Sequence, residues 1–355
     1  MTATLTIDLG ALRQNWRSLS DKVAPAECAA VVKADGYGCG LEPVVGALLA
    51  EGCRTFFVAR LSEGLRARAV APEAAVYVLD GLPAGAAADL RRAALRPALG
   101  SAPEIAEWVA AGGGPAALHF DTGMNRLGLS IDEAQAALAA LGRAPDLVMS
   151  HFVSSEDLAS PDNPAQIERF ARLRAMIPNV RSSLCNSSGI CLPDHPWLDV
   201  ARPGYALYGG NPTPGRPNPM RAVVSLEAPI LQTRMIEAGA HVGYNAQWTA
   251  RRPTQLAVIP VGYADGIPRS AMGVDGKPGP DVAIAGVRCP IVGRVSMDLI
   301  TIDATDAPPQ AVQRGAPVEL LGATIGIDEF GERAGTIGYE ILTSLGRRYT
   351  RVYRG

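Results

Sequence analysis

Between residues 8 and 210 short apolar runs alternate with amphipathic helical stretches, and this alternation constrains the fold more than any other feature of the chain. The runs at 29–33, 55–59, 75–80, 96–99, 116–121, 147–151, 181–185 and 198–202 are candidate strands. Between them, Ile105, Trp108 and Val109 fall on one helical face, as do Ile167, Phe170, Leu173 and Ile177. Ser101 with Glu104, and Ser130 with Glu133, have the spacing of capping boxes. Eight strands alternating with helices over roughly 200 residues predict an α/β fold of the (β/α)8 TIM-like barrel type, although a doubly wound open sheet gives a similar alternation.

After Gly210 the texture changes. Residues 211–219 hold four prolines and two asparagines, a composition in which neither helix nor strand persists. Beyond it the runs 256–261 and 299–303 are β-rich, broken by turns such as Asp265-Gly266 and Asp275-Gly276. Two domains are therefore expected, a barrel over 1–223 and a mainly β domain over 224–355. Apolar content of 48% with 5% aromatic residues supports an aliphatic core. A net charge of -2 without a basic stripe argues against nucleic-acid partners. The six cysteines show neither Cys-x-x-Cys nor zinc spacing, so reduced thiols and no metal are expected. An N-terminus without a basic and apolar leader, and the lack of any membrane-length apolar segment, predict a cytoplasmic protein that does not engage a membrane.

In a barrel of this kind the catalytic groups lie at the C-terminal ends of the strands. The predicted strands end at or near Lys33, Asp80, His119 with Asp121, His151, Asn186 and Arg202. Each has a bland reading alone. A strand-end histidine is more often a structural hydrogen-bonding group than a catalytic one, an arginine can pair with a nearby carboxylate, and a lysine can snorkel to water. Convergence on one face favours a site. His195, between Asp194 and Pro196, reads as a loop residue without a role.

Lys33 closes an apolar run and is followed by Ala34-Asp35-Gly36-Tyr37-Gly38, so one amine stands at the end of a buried strand. Burial disfavours an ammonium and lowers its pKa toward the nucleophilic range that Schiff-base chemistry requires. The loops after the seventh and eighth predicted strands, Asn186-Ser187-Ser188-Gly189 and Pro203-Gly204-Tyr205, offer hydroxyls and glycine amides suited to a phosphate. An amine for a carbonyl and a cradle for a phosphate together point to pyridoxal 5'-phosphate.

At this point the motifs match a known family. Val31-Val32-Lys33-Ala34-Asp35-Gly36-Tyr37-Gly38 resembles the cofactor-lysine motif of bacterial alanine racemases. The similarity continues through Asp121-Thr122-Gly123-Met124-Asn125-Arg126, Ser150-His151-Phe152, Asn186-Ser187, Arg202-Pro203-Gly204-Tyr205, Gly262-Tyr263-Ala264-Asp265-Gly266, Gly293-Arg294-Val295-Ser296-Met297-Asp298 and Gly338-Tyr339-Glu340, in the family's order across nearly the whole chain. The resemblance implies a homodimer with shared active sites that interconverts L- and D-alanine. It makes Lys33 the imine-forming residue and one catalytic base, and Tyr244 the second base, delivered from the partner chain. It assigns the cofactor phosphate to Tyr37, Ser187, Gly204, Tyr205 and Tyr339, the ring to His151, and the substrate carboxylate to Arg126 and the Met297 amide. Tyr263 and Asp298 would line the site.

Two bases on opposite faces of Cα are what racemisation needs. A tyrosine is mostly protonated at neutral pH, so the second base calls for cationic neighbours. Arg202 would face the pyridine nitrogen. An arginine only donates hydrogen bonds, so that nitrogen must stay an unprotonated acceptor, which weakens the ring as an electron sink and suits a racemase better than an aminotransferase. The chain departs from many relatives at His119, where they carry a carbamylated lysine that orients the arginine, and at Cys39 and Ser296. Rival readings are a racemase of serine or a broader range, a decarboxylase on the same fold, and a non-catalytic pyridoxal-phosphate-binding protein. Biosynthetic and catabolic roles for the alanine product both stay open.

Overall fold

A computed structural model describes residues 2–194 and 196–355; His195 lies outside the described residues. The chain divides into two compact units, Leu12–Arg221 and a second made of Ala222–Gly355 with the segment up to Ala11.

In Leu12–Arg221 the parallel strands follow the predicted positions. Ala30–Val31, Thr55–Val58, Ala75–Val78, Arg96–Leu99, Ala117–His119, Leu147–Met149 and Ser182–Ser183 pair in that order. Nearly every residue in them is buried, because helices cover the outside and side chains fill the inside. The eighth strand, Val200–Ala201, closes the ring and excludes the open-sheet alternative. Asp199 and Arg202 donate their N–H groups to Ser182 and Cys185 carbonyls on one side, while Glu27, Ala29 and Val31 donate to Asp199, Ala201 and Pro203 on the other. The first strand is split at Ala29. Its Glu27–Cys28 half pairs with Val200–Ala201, and its Ala30–Val31 half with Thr55–Val58.

The expected helical faces hold with one exception. Ile105, Trp108, Phe170, Leu173 and Ile177 are buried and Ile167 half-buried, whereas Val109 is exposed. Both capping serines donate their hydroxyls to the carboxylate three residues on, although Glu104 takes the N–H of Gly100 rather than that of Ser101. The proline-rich stretch 211–219 carries neither helix nor strand. Asn218 donates to the Gly209 carbonyl and Asn211 to that of Arg216, which ties it down.

The second unit is mainly β. Its nine-stranded sheet runs Gln232–Ile236, Thr254–Ile259, Ile300–Asp303, Val287–Val292, Asp281–Ile284, Pro317–Leu321, Val224–Pro229, Thr4–Asp8, Thr350–Arg354. The division differs from the expected 1–223 and 224–355 at the N-terminus. Thr4–Asp8 pairs antiparallel with Val224–Pro229 and parallel with Thr350–Arg354. Its alternation buries Leu5 and Ile7 completely, and the Asp8 carboxylate then accepts the Ala11 N–H to start the next helix.

Leu5→Ala is accordingly expected to cost about 2 to 5 kcal/mol of unfolding free energy in urea titration, as for other fully buried leucines. A free N-terminal tail would show no such loss.

Candidate active site

The chain leaves the first barrel strand through a left-handed turn. Ala34, Asp35, Gly36, Tyr37 and Gly38 all have positive φ, between 50° and 78°. Non-glycine residues disfavour this region by roughly 1 to 2 kcal/mol each, so the turn needs support. Glu63 supplies much of it. One carboxylate oxygen accepts the N–H groups of Ala34 at 2.7 Å and Asp35 at 3.4 Å, and the other accepts those of Ala59 and Arg60. The Asp35 carboxylate accepts from the Leu41 N–H and from Arg66 at 2.6 Å.

This turn halts the strand at Lys33 and folds Tyr37 back under it. Burial, and next the Arg126 guanidinium, lower the Lys33 pKa, with Asp80 and Glu63 opposing. Tyr37 stacks on Tyr208 at 4.6 Å between ring centroids, and Tyr208 donates to the Val31 carbonyl. Burial pushes both phenols up. Gly204 sits against the Tyr37 hydroxyl so closely that a Cβ there would stand 2.4 Å from it. Any side chain at 204 displaces the phenol.

Arg202 is 3% exposed. Its guanidinium donates to the Ser183 hydroxyl and, at 2.7 Å, to the Ser150 carbonyl; it also lies 3.5 Å from His151 Nδ1. Burial lowers its pKa to about 10, which leaves it cationic at neutral pH. An arginine cannot accept, so Nδ1 of His151 is the acceptor in that contact and the ring proton sits on Nε2. Burial first, then the charges of Arg202, Lys33 and Arg126, push His151 down to about 3. His119, at the end of Ala117–His119, is held at about 4 by burial and Arg202, with Asp121 opposing. Both imidazoles are neutral under ordinary conditions.

Two loops complete this end of the barrel. Ser187 accepts the N–H groups of Gly204 at 3.0 Å and Ala206 at 3.2 Å, which leaves its own proton for an outside acceptor such as a phosphate oxygen. The Gly204 N–H is thus directed at Ser187, and Tyr205 opens the short helical turn Tyr205–Tyr208 that follows. In the other loop, the Asp121 carboxylate accepts the N–H groups of Gly123, Met124 and Asn125, each at 2.8 Å. Arg126 emerges from that cap exposed, and it forms no hydrogen bond or ion pair among the described residues.

The remaining expected residues belong to the β unit. Tyr244, 69% exposed, lines a cleft of about 540 Å³ with Asn245, Tyr263, Arg269, Arg294 and Met297. Arg269 and Arg294 are the cations in that lining, and neither was anticipated. The backbone there is tightly packed. A Cβ on Gly262 would stand 2.3 Å from the Met297 carbonyl, which accepts the Ala264 N–H at 3.0 Å. The Met297 N–H has no hydrogen-bond partner among the described residues. Asp298 pairs with Arg348, which also reaches the buried Asp265. Half-buried Tyr339 lies in the helix Gly338–Ser344.

The barrel unit therefore gathers Lys33, Tyr37, His119, Arg126, His151, Ser187, Arg202, Gly204 and Tyr205, while Tyr244, Tyr263, Met297, Asp298 and Tyr339 stand in the other unit. The donor set at the barrel end fits a phosphorylated aldehyde. It offers a half-buried amine with lowered pKa, a serine proton beside a glycine with no room for a side chain, and a buried cation able to donate to a ring nitrogen. Sequence reading missed Glu63, Ser183 and Gln166, and gave Ser150 no role although it lies in a matched motif. Glu63 stands three residues after Arg60, a capping spacing, but its reach to Ala34 has no sequence signal.

Both units of the chain match known proteins. The family model for the alanine racemase N-terminal domain matches residues 7–212, and that for the C-terminal domain matches 223–353. Alanine racemase of Methylobacterium nodulans is 55% identical, with 99% of this chain and 96% of that protein covered. The crystal structure of Bartonella henselae alanine racemase with covalently bound pyridoxal phosphate is 40% identical, with a TM-score of 0.93 and both chains fully covered. The biosynthetic alanine racemase of Pseudomonas aeruginosa is 33% identical, with a TM-score of 0.93 over 100% of this chain and 99% of that one.

The neutral imidazoles set a pH dependence. Both histidines have folded pKa values below the unfolded value of about 6.5, so the unfolded chain binds more protons between there and pH 4. Stability is fully present above about pH 6.5 and falls on acidification, by about 1.4 kcal/mol per pH unit for each imidazole. Urea titrations from pH 7 to 4.5 read this slope directly. His151→Asn is expected to remove about half of the histidine contribution, and a slope unchanged in that variant would contradict the assignment.

Proposed function

The chain belongs to the alanine racemase family, and from that premise we propose that it interconverts L- and D-alanine with pyridoxal 5'-phosphate, using Lys33 and the Tyr244 of a second copy as two bases. The observation that carries this reading is the convergence at one barrel end of the half-buried amine of Lys33, the cation of Arg202 and the neutral ring of His151. Bound pyridoxal phosphate would supply a conjugated system that spreads negative charge away from the substrate Cα.

The chain's own residues do the rest. The Ser187 hydroxyl, with Tyr37, Gly204, Tyr205 and Tyr339, holds the phosphate. His151 would pack against the ring, and Arg202 would donate to the ring nitrogen, which then stays an unprotonated acceptor. Arg126 and the Met297 N–H hold the substrate carboxylate; neither has a hydrogen-bond partner among the described residues, as that task requires. With the carboxylate fixed, the Cα–H bond is presented to one base at a time. Lys33 Nζ moves the proton on one face. Its lowered pKa raises the fraction of free amine able to accept that proton. The Tyr244 hydroxyl moves the proton on the other face, with Arg269 and Arg294 as the cations beside it. His119, neutral, takes the place of the family's carbamylated lysine and brings no negative charge toward Arg126. Tyr263 and Asp298 line the substrate side.

Co-expression of Lys33→Ala and Tyr244→Phe chains tests the sharing of the site. Each variant alone is expected to be inactive. Random pairing makes half of the dimers mixed, and each mixed dimer has one site with both bases, so activity returns to about a quarter of wild type. Mixed dimers that form but stay inactive would contradict a shared site. Serine, lysine and arginine in the same assay, with carbon dioxide release monitored, separate the rival substrates and the decarboxylase reading.

A further inference from the structure

Gln166 takes no part in binding or proton transfer as described so far, yet its side chain touches both loops that do. It lies on the helix Asp162–Met176 and is 1% exposed. Its amide nitrogen donates to the Thr122 hydroxyl and to the His151 carbonyl, each at 3.0 Å. Its amide oxygen accepts the Val153 N–H at 2.9 Å. Both donors and the acceptor are therefore used at once, which suits an amide and neither a carboxylate nor an apolar side chain.

The contact at Thr122 leads directly to Arg126. Thr122 shares a 2.7 Å hydrogen bond between its hydroxyl and that of Ser150, and its carbonyl accepts from Arg169, one helical turn beyond Gln166. Gly123 follows at a φ of +143°, which L side chains rarely adopt, and a Cβ there would stand 2.8 Å from the Arg169 guanidinium. The Asp121 carboxylate then caps the next three N–H groups before Arg126. On the other side, the residue whose carbonyl Gln166 holds is His151, itself beside Arg202. A single buried side chain thus joins the arginine-bearing loop to the strand end that faces the ring.

We propose that Gln166 is a positioning residue that fixes where Arg126 meets the substrate carboxylate relative to His151, a role that rests on the racemase reading above. Removing the amide frees Thr122 to turn and lets the loop shift, so Arg126 and the ring side of the site lose their common reference. A shift on the order of 1 Å is enough to weaken oriented binding substantially.

Gln166→Met in the holoenzyme keeps the side-chain length and removes all three hydrogen bonds. The expected result is a KM for both alanine enantiomers raised about tenfold, with kcat lowered less than about threefold and the cofactor absorbance retained. In an Arg126→Ala background the same change should add less than about twofold to KM, because the residue acts through that arginine. Thr122→Val, which cuts only the hydroxyl's bonds to Gln166 and Ser150, serves as the second variant should Gln166→Met fail to hold cofactor. It should raise KM in the same direction and show the same loss of effect with Arg126→Ala. Unchanged KM in an active enzyme, or effects that multiply with Arg126→Ala, would overturn the positioning role alone. Wild-type protein that does not racemise alanine would overturn the reading beneath it.

Discussion

A permanent cation buried at the end of the barrel organises this site. Arg202 has no carboxylate within ion-pair distance among the described residues, and its charge is met instead by the Ser183 hydroxyl, the Ser150 carbonyl and the face of Phe57 at 5.7 Å. Burying a charge with only dipoles around it costs several kcal/mol unless it is well hydrogen-bonded. That cost has chemical consequences. Burial first, and this cation next, hold His119 at about 4 and His151 at about 3, and a ring nitrogen placed before the cation can only accept. The barrel makes such a placement stable because the eighth strand, which carries Arg202, is bonded along both edges.

The left-handed turn after Lys33 is the second constraint. Without it the first strand would run past the barrel mouth, and Tyr37 would not return to Gly204. Glu63 holds the turn with backbone hydrogen bonds from two segments, so the helix after the second strand helps to place the lysine of the first. Local strain at Ala34, Asp35 and Tyr37 is thus distributed into contacts that only the assembled barrel supplies. Gln166 does for the Arg126 loop what Glu63 does for the Lys33 turn.

Much of this was legible in the chain because strand ends are marked by polar residues that interrupt apolar runs. Lys33, His119, His151 and Arg202 could be placed from spacing alone, and Ser187 and Gly204 from the chemistry a phosphate needs. What could not be read depends on contacts between distant segments. Thr4–Asp8 alternates as any half-buried strand does, and nothing in its residues says that its partners are Val224–Pro229 and Thr350–Arg354. Gln166 falls at a helix position that periodicity leaves polar, and its burial arises from the loops that close over it. Arg269 and Arg294 became neighbours of Tyr244 only through the folding of the β unit.

The account stands on two bases at opposite faces of one Cα, and racemisation in D2O examines that claim most directly. Wild-type protein given L-alanine should yield both enantiomers with deuterium at Cα. Tyr244→Phe, left with the Lys33 face alone, should exchange the Cα proton of one enantiomer while inverting it at least about 10²-fold more slowly. Wild-type protein that leaves the Cα proton in place, or a Tyr244→Phe variant that inverts alanine at the wild-type rate, would contradict it.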